Sequence, residues 1–126
     1  MKRDLGELEA VVMDLIWGAG VPLTVRETRE ALCAGGRSPA YTTVSTVLDN
    51  LRRKDFLAVQ ADGRAYRYSP LLSRAEYGAD LALHGLDVGG EECFAALLPR
   101  LTPAQRGALE AALSSEAPAR GRTEAP

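Results

Sequence analysis

The chain is short of the residues on which most catalytic and metal chemistry depends. Its 126 residues include one histidine, His84, and two cysteines, Cys33 and Cys93. Two thiols so far apart make neither a disulfide framework nor a CxxC clip, and they read as reduced thiols packed as small hydrophobes. His84 has no cysteine or carboxylate at ligand spacing, so it reads as a helix-surface or interface residue. No metal and no cofactor are expected. No serine or cysteine nucleophile stands beside a plausible base and no glycine-rich phosphate loop occurs, which argues against an enzyme. There is no run of 18 apolar residues, hence no expected membrane insertion. The first residues lead into an acidic amphipathic segment instead of a signal-peptide core, so a cytoplasmic location is expected. No internal repeat is present.

What the chain does have is one helix-length stretch, Ala40 to Lys54, with an unusual polar face. At about 100° per residue, Val44, Val47, Leu48 and Leu51 form one apolar stripe. Thr42, Thr46, Asp49 and Arg53 fall on the opposite pole, flanked by Thr43 and Asn50. Solvated helix faces are normally filled with Glu, Lys, Gln and Arg, because threonine and asparagine are poorer helix formers. Short hydroxyl side chains do let a helix lie close against base edges in a major groove. A half-buried helix that tolerates threonine is the other reading of this stretch alone.

Charge distribution favours the first. The net charge is -2, yet between Arg37 and Arg67 six basic residues (Arg37, Arg52, Arg53, Lys54, Arg64, Arg67) face three acidic ones (Asp49, Asp55, Asp62). From Asp80 onward the balance reverses, with seven acidic residues against four basic. The basic excess coincides with the threonine-rich helix. Asp49 would be repelled by phosphate unless it pairs with Arg53 at i+4 or accepts from a cytosine amino group.

The elements around this stretch are readable from periodicity and punctuation. Leu8, Val11, Val12, Leu15 and Ile16 predict a first helix over about Gly6 to Trp17, ended by Gly18 and Gly20. Trp17 is expected to cap the core. Leu23 to Val25 can pair as a very short strand, and Thr24 to Glu27 is a capping box opening a second helix to about Cys33. After the third helix, Phe56 to Gln60 and Arg64 to Ser69 read as a hairpin about Asp62-Gly63. That places Ala61 opposite Arg64, Val59 opposite Tyr66 and Leu57 opposite Tyr68, with Tyr66 and Tyr68 packing the wing on the core. Ser73 to Glu76 caps a fourth helix, Phe94 to Leu101 a short fifth, and Thr102 to Gln105 a sixth ending near Ser115.

The architecture expected is mainly α-helical with a small β wing. A winged helix-turn-helix domain spans 1–71, a helical dimerisation region 72–116 and a disordered tail 117–126. Tyr77, Leu81, Phe94, Leu97, Leu98, Leu109 and Leu113 are the dimerisation residues expected, the alternative being that this region folds back on its own winged domain.

The stretches LGELEAVVMDLIW (Leu5 to Trp17), TVRE, YTTVSTVLDNLRRK (Tyr41 to Lys54) and GRAYRYSP (Gly63 to Pro70) resemble the BlaI/MecI/CopY group of bacterial repressors, which includes the penicillinase (β-lactamase) repressors. The resemblance covers about Leu5 to Leu113. It implies a homodimeric winged-helix transcriptional repressor on a palindromic double-stranded DNA operator, with Thr42, Thr43, Thr46 and Asn50 in the major groove. The family's wing arginine falls on Arg64. Arg53, with Arg52 and Lys54, reads as a phosphate clamp or, alternatively, as a plain solvated helix end. Many relatives have lysine where Thr42 stands. The penicillinase repressors are cut by a membrane metalloprotease sensor at an Asn-Phe bond; the comparable Cys93 to Arg100 stretch has Phe94 without the asparagine. Copper-responsive relatives use closely spaced C-terminal cysteines, absent here. The alternative from another class is a winged-helix protein-interaction module without DNA binding.

Overall fold

Local capping chemistry sets the helix starts. The computed structural model describes residues 4–124, with side chains described for 4–115. Helix α1 (Glu7–Ala19) starts where the Gly6 backbone N–H donates to the Glu9 carboxylate at 2.8 Å, and it ends at Gly20, whose φ of 73° is the left-handed cap glycine accommodates. Helix α2 (Val25–Ala34) opens with the reciprocal box: the Glu27 N–H donates to Thr24 Oγ1 and the Thr24 N–H to the Glu27 carboxylate, both at 3.0 Å. Helix α3 (Tyr41–Arg53) closes differently. The Phe56 N–H donates to the Leu51 carbonyl and the Asp55 N–H to that of Arg52, a Schellman motif in which Asp55, not glycine, takes the left-handed position at φ 67°. Leu51 and Phe56, whose contact usually accompanies this motif, are both fully buried.

Strands β1 (Leu57–Asp62) and β2 (Ala65–Pro70) form an antiparallel hairpin. Its register corrects the one expected from the Asp62-Gly63 turn signal. Asp62 pairs with Ala65, Ala61 with Tyr66 and Val59 with Tyr68, so the two turn residues are Gly63 and Arg64. Only Gly63 of the pair has positive φ, the arrangement of a type II′ turn, whereas the type I′ turn that Asp-Gly favours needs two. Asp62 stays in the strand, its carboxylate accepting from Arg67 at 2.6 Å. A slip of two residues preserves the side-chain faces, so Leu57, Val59, Tyr66 and Tyr68 still share one. Only its base reaches the core: Leu57 and Tyr68 are buried, while Tyr66 is 59% exposed and does not pack there as expected. Leu23 forms the short third strand, exchanging backbone hydrogen bonds with Tyr68 at 2.8 and 3.0 Å.

Helices α1, α2 and α3 followed by this hairpin make a winged-helix unit. Its core consists of Val12, Met13 and Ile16 from α1, Leu32 from α2, and Val44, Leu48 and Leu51 from α3, closed by Phe56, Leu57, Tyr68 and Leu72. Trp17 caps one edge, donating its indole N–H to the Leu72 carbonyl at 2.9 Å. Compactness divides the chain after Gly78, so Leu72 and Tyr77 belong with the winged unit. The division falls inside α4 (Arg74–Gly89), which the Ser73/Glu76 box caps.

The second unit continues from α4 through α5 (Glu92–Leu97), a 3-10 turn (Leu98–Arg100) and α6 (Pro103–Glu124), the last capped reciprocally by Thr102 and Gln105. Among its described side chains none is buried. The tail expected to be disordered, 117–126, lies outside the described side chains; the backbone of α6 continues to Glu124, and 125 and 126 lie outside the described residues.

Candidate nucleic-acid interface

The polar face of α3 points outward. Thr42, Thr43 and Thr46 are exposed, and Asn50 is half-buried beside them. Directly behind them Val44, Leu48 and Leu51 are completely buried. The face is therefore displayed by a stripe that cannot rotate without emptying the core.

The cations at the end of α3 are differently employed. Asp49 accepts from Arg52 at 2.9 Å and pairs with Arg53 at i+4. The Arg52 hydrogen bond, with the charges of both arginines, holds the Asp49 carboxyl below its ordinary range. Arg53 still exposes two thirds of its side chain. Lys54 instead faces inward, its ammonium donating to the Asp4 carbonyl at 2.8 Å and to Glu9 at 2.7 Å. Lys54 thus ties α3 to α1 and is not a spare cation.

On the wing, Arg64 is exposed at the turn and makes no ion pair among the described residues. Arg26 on α2 and Arg37 in the α2–α3 turn are likewise exposed and unpaired. The sequence marks neither as a contact, although Arg37 contributes to the local basic excess. Arg67 has the opposite fate: it bridges Asp62 at 2.6 Å and Glu27 at 3.1 Å. The hydrogen bond to Asp62 and the charge of Glu27 raise the Arg67 pKa further. Glu27 is lowered, first by the Thr24 backbone N–H and then by Arg67.

The residues read as a dimerisation face divide. Tyr77 packs in the winged unit, its ring 5.3 Å from Phe56 edge-on and 5.9 Å from Trp17. Leu81, Phe94, Leu97, Leu98, Leu109 and Leu113 are all exposed. Cys33 is exposed at the end of α2, correcting the expectation that it packs as a small hydrophobe; Cys93 is half-buried. His84 is exposed. Among the described residues no group of three His, Cys, Asp or Glu converges as a metal site, and no helix is long and apolar enough to cross a membrane.

A buried-backed, hydroxyl-rich α3 beside a wing defines a helix-turn-helix module of the winged class. A family model described as penicillinase repressor matches residues 5–114, and the chain belongs to that family, one of repressors and not of enzymes. It is 46% identical over 82 residues to the transcriptional regulator BlaI of Mycobacterium tuberculosis, in two strains. That match covers 65% of this chain and 59% of the relative, less than two thirds of its length. Among solved structures, the monomeric form of Bacillus licheniformis BlaI in complex with the blaP half-operator is 24% identical, covering 59% of this chain and 88% of that one, with a TM-score of 0.49. The Staphylococcus aureus regulator MepR is 19% identical over 90% of this chain and 78% of that one, with a TM-score of 0.48.

Proposed function

We propose that the protein is a transcriptional repressor that binds a palindromic DNA operator as a homodimer, with α3 in the major groove and the wing on the backbone or in the minor groove. Membership of the penicillinase repressor family supports this reading, and the observation that carries it is the exposed Thr42, Thr43 and Thr46 face fixed by a fully buried stripe. Hydroxyl and methyl groups at this spacing contact base edges, Asn50 extends the face, and Arg53 and Arg64 supply charge at its two ends. Exposed leucines and Phe94 in the second unit supply an apolar surface that a second copy would cover. Dimerisation would then present two α3 helices to two half-sites, the geometry a palindrome mirrors.

Selection from random duplexes followed by gel shift at physiological salt tests the proposal. Thr43→Ala and Thr46→Ala should each cost roughly 1 to 3 kcal/mol on the selected site and little on random DNA. Equal losses on both would remove the base-reading assignment. No complex with any duplex would favour the protein-interaction module, which the overall net charge of -2 suits better.

A further inference from the structure

Between α2, α3 and the wing lies a cleft of about 530 Å³ that base reading leaves unused. Arg26, Glu27, Tyr41, Ser45, Arg64 and Tyr66 line it. Tyr41 is 54% exposed and Tyr66 59%. The one carboxylate on this wall is already occupied, since Glu27 accepts from the Thr24 N–H and pairs with Arg67. In the first turn of α2 the Glu27 N–H is likewise engaged, donating to Thr24 Oγ1 in the capping box. What remains open is a set of donors: two guanidiniums without ion pairs and the hydroxyls of Tyr41, Ser45 and Tyr66, which make no hydrogen bond among the described residues.

Two unpaired arginines with several hydroxyl donors, beside a single carboxylate already paired with Arg67, match a phosphate group, whose oxygens accept bidentate and single hydrogen bonds. We propose that this cleft seats a phosphodiester of the DNA duplex, bracketed by Arg26 and Arg64, with the Tyr41 and Ser45 hydroxyls donating to it. The inference rests on the DNA-binding reading and deepens it. If α3 occupies a major groove and the wing tip the adjacent minor groove, the sugar-phosphate strand separating those grooves must cross the gap between them. That gap is the cleft. Arg26 and Tyr41 are thereby assigned to positioning the duplex, and Arg53, whose charge Asp49 shares, is secondary in that role.

The full-length chain and its selected duplex provide the test. Arg26→Ala should weaken binding on the order of ten-fold, equally on selected and random duplexes. It should also lower the slope of log affinity against log salt by about 0.9, the signature of one lost phosphate contact. Arg26→Lys should restore that slope, and Tyr41→Phe should weaken binding without changing it. In a second arm, neutral methylphosphonate linkages replace the phosphates one at a time. One position should weaken the wild type and have no further effect on Arg26→Ala. A wild-type complex whose affinity and salt slope survive both Arg26→Ala and Tyr41→Phe would overturn the seat alone. Methylphosphonate losses that simply add to that of Arg26→Ala at every position would overturn it too. A wild type that binds no duplex would withdraw the DNA-binding reading and this site with it.

Discussion

Arg67 on β2 donates to the Glu27 carboxylate on α2 at 3.1 Å, across 40 residues of sequence. The same guanidinium donates to Asp62 at 2.6 Å and to the Pro22 carbonyl at 3.4 Å, so one side chain ties the wing to the first turn of the helix-turn-helix. Solvent-exposed pairs add little to stability. Arg67→Ala is therefore expected to leave the melting temperature nearly unchanged while freeing the wing and weakening binding to every duplex. Thermal unfolding and gel shift on one preparation check this. A large drop in melting temperature with undiminished binding would show that the bridge serves the fold instead.

Asp55 occupies a left-handed conformation, φ 67°, that glycine adopts without steric cost. Asp55→Gly should raise stability by about 0.5 to 1 kcal/mol, and Asp55→Ala, lacking a polar side chain to compensate locally, should lower it. Denaturant unfolding of both variants measures the difference. Identical midpoints would mean the backbone there is not strained.

Acid should loosen the α1–α3 contact. Burial raises the Glu9 carboxyl pKa, but the hydrogen bond from Lys54, that from the Gly6 N–H and the charge of Lys54 outweigh it, and the net shift is below the ordinary value of 4.5. A carboxyl depressed in the folded state contributes stability above its unfolded pKa and loses it as pH falls through its folded one. The wild type should therefore be more stable than Glu9→Gln at neutral pH, with the gap closing as the pH falls below the ordinary carboxylate range. Melting curves across that range decide; a gap that widens in acid would reverse the sign.

Phe94 and Leu97, 53% and 45% exposed, test the dimer. Leu97→Glu places a charge in the apolar surface and should shift the protein to monomer in sedimentation, with reduced operator affinity from loss of the second half-site. A wild type that sediments as a monomer at all concentrations would end the dimer proposal.

Much of this architecture is readable because it is local. The Val44/Leu48/Leu51 stripe, the Thr24/Glu27, Ser73/Glu76 and Thr102/Gln105 boxes and the Asp49–Arg53 pair each lie within one or two helical turns, where spacing alone decides who meets whom. The hairpin is legible in its place and its faces, but the register expected from its turn signal is off by two. Asp-Gly signals a turn without saying which two residues occupy its tip, and here the Asp62–Arg67 bridge keeps Asp62 in the strand. What stays hidden joins distant residues. Nothing in the sequence pairs Lys54 with Glu9 or Arg67 with Glu27, so three basic residues that look equally available prove different: Arg64 is unpaired, while Lys54 and Arg67 are consumed internally. Arg26 is invisible for the converse reason, being an ordinary helix arginine until α3 and the wing are folded around it.

The sole tryptophan has a practical corollary. Trp17 donates to Leu72 and stands against Tyr77, all three within the first unit, and no tryptophan exists after Gly78. Indole emission is therefore a built-in reporter of the winged unit alone. Set against far-ultraviolet dichroism, which sums every helix, it would reveal whether the two halves of the chain melt together or in succession, with no label attached.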